Sequence, residues 1–387
     1  MKLLSTLSVF SLCCMAQFGH AQNSETQSTD KTLYEEFAQV KKRTDKLQIN
    51  LHTHASANAY FQNGFQSSNF SIREMRLELK GKLNPWLSYR YRQRVNKSLD
   101  GTGYVDHLSN AIDFAGIGLH PSDKFSAFIG KQCVFYGGFE FEKNPIDLYE
   151  VSEMADHTTC YTTGIGFTYN FTPQQQLQFQ VLHSHNKFTD DTYGVGYEPS
   201  KVPFVYTLNW NGTFSDIYQT RWSASYMSQT KGKGGIYLSM GNQFLLGKKG
   251  SIYLDLMYAR EQVDNKRILT SFLRSGAFPT SIENTSYFSS VLELNYRFAP
   301  QWSAFFKGMY ETASLYKSTA DFEKGKYRDF YGYSAGIEYY PSQTSLRFFL
   351  LYGARKYRYT SHAKQLNLTD YNTSRISLGF VYTIPCF

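Results

Sequence analysis

The 387-residue sequence predicts an all-β fold: a transmembrane antiparallel β-barrel of about sixteen strands, with short turns at one rim and long loops at the other. Three observations lead to this fold class. Tyr and Phe each occur 31 times, spread through segments in which apolar and polar residues alternate. No segment approaches the roughly 20 consecutive apolar residues that a membrane-spanning helix needs. Short turns alternate with longer polar segments along the chain.

Residues 1–46 are predicted to precede the barrel. A short basic start, the apolar core Leu3–Met15 and small residues before position 22 indicate that residues 1–21 are a secretory signal peptide. Residues 22–46 are expected to form a short periplasmic segment, in which Thr32 and Glu35 make a capping box for a helix. This helix could simply lead into the first strand, or it could act as a plug or a trimer contact.

Residues 47–387 are predicted to form the barrel, because apolar and polar residues alternate there in segments of strand length. Leu47–Tyr60 and Phe70–Lys80 are the first two such segments. Pro, Gly, Asn and Asp mark the short turns, since they favour turns and are poorly suited to a strand ladder. The turns are predicted at Asn84-Pro85, His120–Asp123, Thr172-Pro173, Ser215-Asp216, Gly247–Gly250, Ala299-Pro300 and Pro341-Ser342.

Longer polar segments are predicted to connect the strands at the opposite rim. These loops are Asn63–Asn69, Asn96–Ser109, Val134–Cys160, Asn186–Pro203, Gln229–Gly234, Glu261–Asn284, Ala313–Phe330 and Lys356–Asn372. Aromatic residues beside the short turns predict a girdle at one membrane interface. They are Trp86, Phe125, Phe171, Phe214, Phe298, Trp302 and Tyr339.

The polar faces of the predicted strands indicate a water-filled lumen. Arg90, Arg92 and Arg94 recur at every second position, which places them on one wall roughly 7 Å apart. A charge facing lipid costs roughly 2–4 kcal/mol at mid-bilayer, so these residues are expected to face water. Further cations predicted to point inward are Arg221, Arg297, Lys307, Arg347, Arg355 and Arg375. Both anions and cations are thus expected on the inner face, so the cations fit either an anion path or an ordinary mixed-charge lumen. The carboxylates predicted to point inward are Glu74, Glu78, Asp255, Glu293, Glu311 and Glu338.

The third predicted loop carries the most specific motif of the chain. Gly130-Lys131-Gln132 leads into the segment YGGFEFEKNPID, which spans Tyr136–Asp147. This segment resembles the corresponding segment of porins of the phosphate-selective O and P family, especially a Bacteroides-like branch, and the resemblance extends from about Leu47 to Phe387. It implies a sixteen-strand barrel in the outer membrane of a Gram-negative bacterium, a homotrimer, and a third loop that folds into the lumen as a constriction.

The resemblance also implies passive diffusion of small hydrophilic solutes, with inorganic anions or phosphate as candidates, and no cofactor. A single arginine row matches this expectation, and no lysine cluster is identified at the mouth of the pore. The charged residues expected at the constriction are Glu140, Glu142, Lys143, Asp147, Glu150 and Glu153. Folded inward, they are expected to face the wall that bears Arg90, Arg92 and Arg94.

Other chemistry finds little support in the sequence. Cys133 and Cys160 bracket the third loop, so either a disulfide or two free thiols is possible there. His52 with His54, and a second pair at His183 and His185, lack a third ligand at fixed spacing, so no metal site is expected. No catalytic set stands out, and no clustered basic and aromatic surface indicates nucleic acid. The alternative to a porin is a barrel enzyme or adhesin that acts at the outer rim.

Overall fold

The computed structural model describes residues 46–387, except 216, 248, 277 and 342–344. Sixteen antiparallel strands form one closed barrel, in which each strand pairs with its neighbours in the chain and β16 pairs with β1. The strands are β1 Gln48–Phe61, β2 Phe65–Asn84, β3 Leu87–Arg94, β4 Ile112–Leu119, β5 Phe125–Cys133, β6 Tyr161–Thr172, β7 Gln175–His183, β8 Phe204–Phe214, β9 Tyr218–Thr230, β10 Lys233–Leu245, β11 Gly250–Val263, β12 Glu283–Ala299, β13 Trp302–Leu315, β14 Gly325–Tyr339, β15 Arg347–Tyr359 and β16 Tyr371–Pro385. The predicted fold class and strand number are confirmed.

Alternation along the strands separates an apolar outer face from a polar inner one. On β10, Ile236, Leu238 and Met240 are exposed on the outside, whereas Tyr237 and Ser239 between them are buried inside. Successive side chains of a strand point to opposite faces, so one sequence pattern produces both surfaces. The same alternation continues around the barrel, which therefore has an apolar band outside and a polar lumen.

The short turns all lie at one rim, as predicted. They join β2 to β3, β4 to β5, and each later pair up to β14 and β15, and antiparallel pairing brings these connections to the same end. Two predicted long loops are wrong. β2 already begins at Phe65 and β10 at Lys233, so the connections after β1 and β9 are three and two residues long, between strand ends at Phe61 and Thr230. Most residues predicted for these two loops are instead paired within the β1–β2 and β9–β10 ladders.

Aromatic side chains surround the short-turn rim. Trp86, Phe171 and Phe298 are exposed on the outer face beside their turns. Trp302 packs on Tyr339 across β13 and β14, with ring centroids 4.8 Å apart. Amphipathic rings at this level suit the interface between hydrocarbon and water, as the predicted girdle required.

The two ends of the barrel sequence complete the closure. β16 ends at Pro385, yet the Ile49 amide donates a hydrogen bond to the Phe387 carbonyl at 2.9 Å, and the Cys386 amide donates to the Ile49 carbonyl at 2.8 Å. Pro385 therefore interrupts the side-chain alternation without ending the pairing between the last residues and β1. The predicted signal peptide and helix lie outside the described residues.

In the described part of the chain, five short helices lie in the loops at the long-loop rim or inside the barrel. They are α1 Phe139–Glu142, α2 Glu153–Asp156, α3 Thr189–Tyr193, α4 Ile268–Leu273 and α5 Ser361–Lys364, and a 3-10 turn spans Pro145–Asp147. Within the described ranges, none of the helices has the length and apolar character needed to cross a membrane.

Candidate functional site: the lumen constriction

The connection between β5 and β6, Val134–Cys160, lies inside the barrel and is here called the constriction loop. Its backbone approaches the inner wall at Gly138, whose amide donates to the Arg221 carbonyl at 3.0 Å. Gly138 has φ 78°, and a Cβ there would lie 3.1 Å from the Asp255 carboxylate. Glycine therefore allows both the left-handed backbone and the close approach.

Two carboxylates of the barrel wall hold the starts of the short helices in this loop. Asp255 on β11 accepts the amides of Phe139 and Glu140 at 2.9 Å each. Glu311 on β13 accepts the amides of Glu153 and Met154 at 2.7 and 2.9 Å. The first amides of a helix have no partner within the helix, so a buried carboxylate there satisfies them and fixes the loop to the wall.

The carboxylates of the loop pair with cations on β13–β16, here called the loop-binding wall. Glu140 pairs with Lys307, and both side chains are almost completely buried. Glu150 accepts Arg355 at 2.9 Å and also pairs with Arg375. The complete wall comprises Lys307, Arg328, Arg347, Arg355 and Arg375, with Arg328 paired to Glu153 and Arg347 to Asp147. These ion pairs fasten the loop along its length.

The environment of Glu150 favours its charged form. Burial raises the pKa of this carboxyl, but Arg375 and Arg355 act in the opposite direction and together hold the pKa below its usual range. Glu150 is therefore ionised at neutral pH, and its two ion pairs persist.

A second group of cations lies on β2 and β3 and is here called the open wall: Lys80, Arg90, Arg92 and Arg94. Arg90 donates to Glu78 through two nitrogens at 2.9 and 2.7 Å. Arg92 lies 3.0 Å and Arg94 3.5 Å from Asp113. The carboxylates that pair with this wall come from β2 and β4, and within the described residues none comes from the constriction loop.

A cavity of about 450 Å³, here called the passage, lies between the open wall and the constriction loop. The loop contributes two segments to the lining, residues 134–137 and Phe141–Pro145. The other side is lined by Lys80, Arg90, Arg92, Gln178, Asn209 and Asn211. Charged and amide side chains line this passage together with aromatic rings, and the polar groups can replace part of the hydration shell of a polar solute.

The placement of the loop carboxylates corrects the sequence-based expectation. Of the acidic residues expected to face the arginine row, Glu142 lines the passage, and it binds Arg221 at 2.7 Å. The others face the loop-binding wall: Glu140, Asp147, Glu150 and Glu153. Lys143 lines the passage and pairs with Glu293, whereas Arg297 lies at the short-turn rim over the ring of Tyr340.

The sequence did not reveal the roles of three residues that hold the constriction loop: Asp255, Glu311 and Arg73. Asp255 and Glu311 were predicted to point inward, but strand alternation carries no signal that they would cap helices of a distant loop. Arg73 was missed because β2 has an irregularity where His54 pairs with Glu74 and Ala55 with Ile72. Arg73 is the skipped residue, and it donates to the Tyr149 carbonyl of the loop.

The cysteine and histidine candidates have other partners. Cys133 and Cys160 are not bridged in the structure. Cys133 lies opposite Tyr161 in the β5–β6 ladder, and the Val134 amide donates to the Cys160 carbonyl at 2.7 Å. His54 contacts the Ile146 carbonyl at 2.9 Å, and His52 contacts Thr383 at the same distance. No metal-binding group of three or more ligands occurs in the described part of the chain.

Comparison with known proteins agrees with this architecture. The model of the family described as phosphate-selective porin O and P matches residues 46–384. A search of curated proteins gave no match. Solved structures match over the whole barrel, although their low sequence identities show the fold alone.

Three of these structures illustrate the match. The outer-membrane channel DcaP of Acinetobacter baumannii is 11% identical, with 89% of this chain and 99% of that chain covered and a TM-score of 0.60. The anion-selective porin from Comamonas acidovorans is 10% identical, with coverages of 88% and 99% and a TM-score of 0.56. The trimer form of OmpT of Vibrio cholerae is 11% identical, with coverages of 87% and 100% and a TM-score of 0.53.

The closed sixteen-strand barrel, its polar lumen and the family match together define the function at a coarse level. The protein is a passive diffusion channel in the outer membrane, and its short turns face the periplasm. The chain belongs to the phosphate-selective porin O and P family.

Proposed function

We propose that this channel conducts small hydrophilic anions, phosphate among them, in modest preference to cations. The supporting observation is a difference in depth on the open wall. The side chains of Lys80 and Arg90 are 43% and 36% exposed, whereas those of Glu78 and Asp113 are 4% and 0% exposed. A solute in the passage therefore meets the cations, and the carboxylates lie behind them.

The charges on this side of the lumen do not cancel. Five cations, Arg76, Lys80, Arg90, Arg92 and Arg94, form ion pairs with three carboxylates, Glu74, Glu78 and Asp113. Five positive charges minus three negative charges leave a surplus of two. A surplus of one sign on a confined wall raises the local concentration of ions of the opposite sign.

The side of the passage formed by the constriction loop has a net charge closer to zero. Glu142 pairs with Arg221, and Lys143 pairs with Glu293. A cation at 4 Å stabilises an anion by roughly 4 kcal/mol at an effective dielectric constant of 20 before screening. Because the Debye length is about 8 Å at physiological salt, only the charges at the passage contribute, and the net preference is modest.

The approach from the outer side adds a further positive charge. A cavity of about 380 Å³ beside the constriction loop is lined by Arg73, Arg375, Tyr60 and Ser71. Arg375 is paired with Glu150, but Arg73 has no ion pair within the described ranges. An anion arriving from the long-loop rim meets this guanidinium before it reaches the passage.

The relatives favour the same class of solute. One structural neighbour is described as an anion-selective porin, and the family is described as phosphate-selective. The alternative, a barrel enzyme or adhesin acting at the outer rim, calls for a filled lumen. The open passage beside the constriction loop favours a channel without catalytic activity.

We also infer that the channel is a homotrimer. Three strands of one side, β3, β4 and β5, have only 8, 8 and 9 residues, whereas β12 has 17. A low section of barrel wall suits contact with neighbouring barrels, and one structural neighbour is described as a trimer form. Light scattering in detergent measures the mass directly: three times the protomer mass supports a trimer, and a single protomer mass contradicts it.

The ion preference is tested with the purified protein in a planar bilayer. In a salt gradient, the reversal potential of the wild-type channel is expected to have the sign of an anion-preferring pore. Liposome swelling with uncharged sugars checks in parallel that small hydrophilic solutes pass. A cation-preferring reversal potential would contradict the proposed preference, and an electrically silent protein would contradict channel function itself.

A further inference from the structure

A recess in the lumen wall lies on the periplasmic side of the passage. It has a volume of about 570 Å³ and adjoins the passage, with which it shares the lining residues Lys80, Arg90, Phe114 and Phe135. Its position follows from its other lining residues, since Lys82 and Ser88 flank the short turn between β2 and β3. A solute moving through the channel passes this recess.

Glycines shape the wall at this place. Gly116 lies opposite Arg90 and Gly130, and Gly130 lies opposite Gly164, so these glycines share the inner face with Arg90. Gly118 and Gly166 flank Phe128 on the same face. The inner face of β4–β6 thus presents backbone where other strands present side chains, and this widens the lumen locally.

Aromatic rings cover the surface of the recess. Phe114 and Phe128 project from β4 and β5, and Phe135 comes from the start of the constriction loop. The ring of Phe128 lies along Gly116, where a Cβ would come within 2.7 Å of it. The three rings are half-buried and border open space. The cavity that they line is here called the aromatic recess.

The exposure of these three rings differs from that of many other rings on the inner face of the barrel. Other inward-facing rings, such as Tyr253, Phe305 and Phe349, are covered by the constriction loop and are buried. Packing between the loop and the wall accounts for those rings. It does not account for apolar rings that border an open passage, because hydration of such rings is unfavourable.

Cations border the same recess. The Arg90 guanidinium stacks on Phe114 at 3.7 Å from the ring centroid. Lys80 and Arg90 share the single carboxylate of Glu78, and Lys82 is exposed and has no ion pair in the described part of the protein. Three cations with one carboxylate leave a surplus of two positive charges beside an apolar surface.

We propose that the aromatic recess is a binding subsite for compact organic anions that carry a carboxylate on an aromatic body. The carboxylate contacts Lys82 and Arg90, and the ring of the solute packs against Phe128 and Phe135. Offset or edge-to-face contact between rings and contact of a carboxylate with a guanidinium are both favourable, and the two surfaces are adjacent here. This inference rests on the proposed anion preference and narrows it to a class of solute.

The experiment compares benzoate with acetate and with inorganic phosphate as blockers of single-channel current. The anions are added to the wild-type channel in a planar bilayer, first at the short-turn side. Acetate has the same charged group without the ring, so it isolates the contribution of the rings. We expect benzoate to block with an affinity at least about tenfold higher than acetate, which corresponds to about 1.4 kcal/mol.

Variants locate the effect. Phe128→Ala and Phe135→Ala are each expected to reduce the affinity for benzoate toward that for acetate. Phe135 lies in the loop, so its variant does not depend on the folding of β5. Phe179→Ala is the matched control, because Phe179 is an exposed phenylalanine on the outer face of the neighbouring part of the barrel.

Two results would overturn the subsite: equal affinities for benzoate and acetate in the wild type, or unchanged benzoate block in both recess variants. The reversal potential, measured before any blocker is added, tests the ion preference separately. An anion-preferring channel that does not discriminate benzoate from acetate would remove the subsite and leave the proposed ion preference intact.

Discussion

The open wall and the loop-binding wall carry the same types of side chain, but their carboxylate partners come from different places. On the loop-binding wall, Lys307 and Arg355 pair with carboxylates of the constriction loop. On the open wall, Arg90 and Arg92 pair with carboxylates of β2 and β4 that lie beneath them. The first arrangement fixes a loop in the lumen, and the second leaves cations facing the passage. An inward arginine is therefore an anchor or a solute contact according to where its partner lies.

Removing the constriction loop should leave the cations of both walls facing water. Of the changes considered, it is expected to have the largest effect on conductance and ion preference. When Glu140–Glu153 is replaced by a short Gly-Ser linker, the loop carboxylates are lost and Arg328, Arg355 and Arg375 face water. We expect a several-fold higher single-channel conductance and a stronger anion preference. Conductance equal to that of the wild type would show that the loop does not restrict the lumen.

A single substitution on the loop-binding wall should reduce the stability of the folded protein more than one on the open wall. Lys307 and Glu140 are 3% and 1% exposed, so Lys307→Met leaves a buried carboxylate without its closest cation. Breaking a buried pair costs about 3–5 kcal/mol. Replacing Arg90, which is 36% exposed, leaves Glu78 still paired with Lys80 and should therefore cost less. Unfolding in denaturant, followed by tryptophan fluorescence, should show a large loss for Lys307→Met and a small one for Arg90→Gln. An equal decrease in the free energy of unfolding for both variants would contradict the proposed difference between the two walls.

A smaller effect is expected at the end of the loop that lines the passage. Glu142 is 40% exposed and pairs with Arg221, so Glu142→Gln should hardly change stability. Removing this negative charge from the passage should move the reversal potential slightly toward anions. A shift toward cations would show that Glu142 does not face the conducting path.

The fold was accessible from the sequence because alternation and turn residues are local signals. Trp86 beside Asn84-Pro85 marks a turn and an interface at once, and similar signals recur at each short turn. The positions of Arg90 and Arg92 on the inner face followed from the same period of two.

The ion pairs between the constriction loop and the barrel wall could not be predicted from alternation and turn residues. Glu150 meets Arg375 only because the 27-residue constriction loop, Val134–Cys160, folds across the barrel, and alternation within strands carries no information about that path. Arg73 was hidden by the irregularity in β2, which shifts the side-chain phase by one residue. Ion pairs between segments so far apart in the chain depend on three-dimensional packing.

The central claim is that exposed cations of the open wall set the ion preference of the channel. The direct measurement is the reversal potential of the variant Lys80→Gln with Arg90→Gln, compared with the wild type in the same salt gradient. Both residues line the passage, and glutamine keeps the wall polar, so the barrel and its conductance should persist. We expect the potential to move toward that of a cation-preferring pore. An unchanged potential, or a wild-type channel that already prefers cations, would contradict the account.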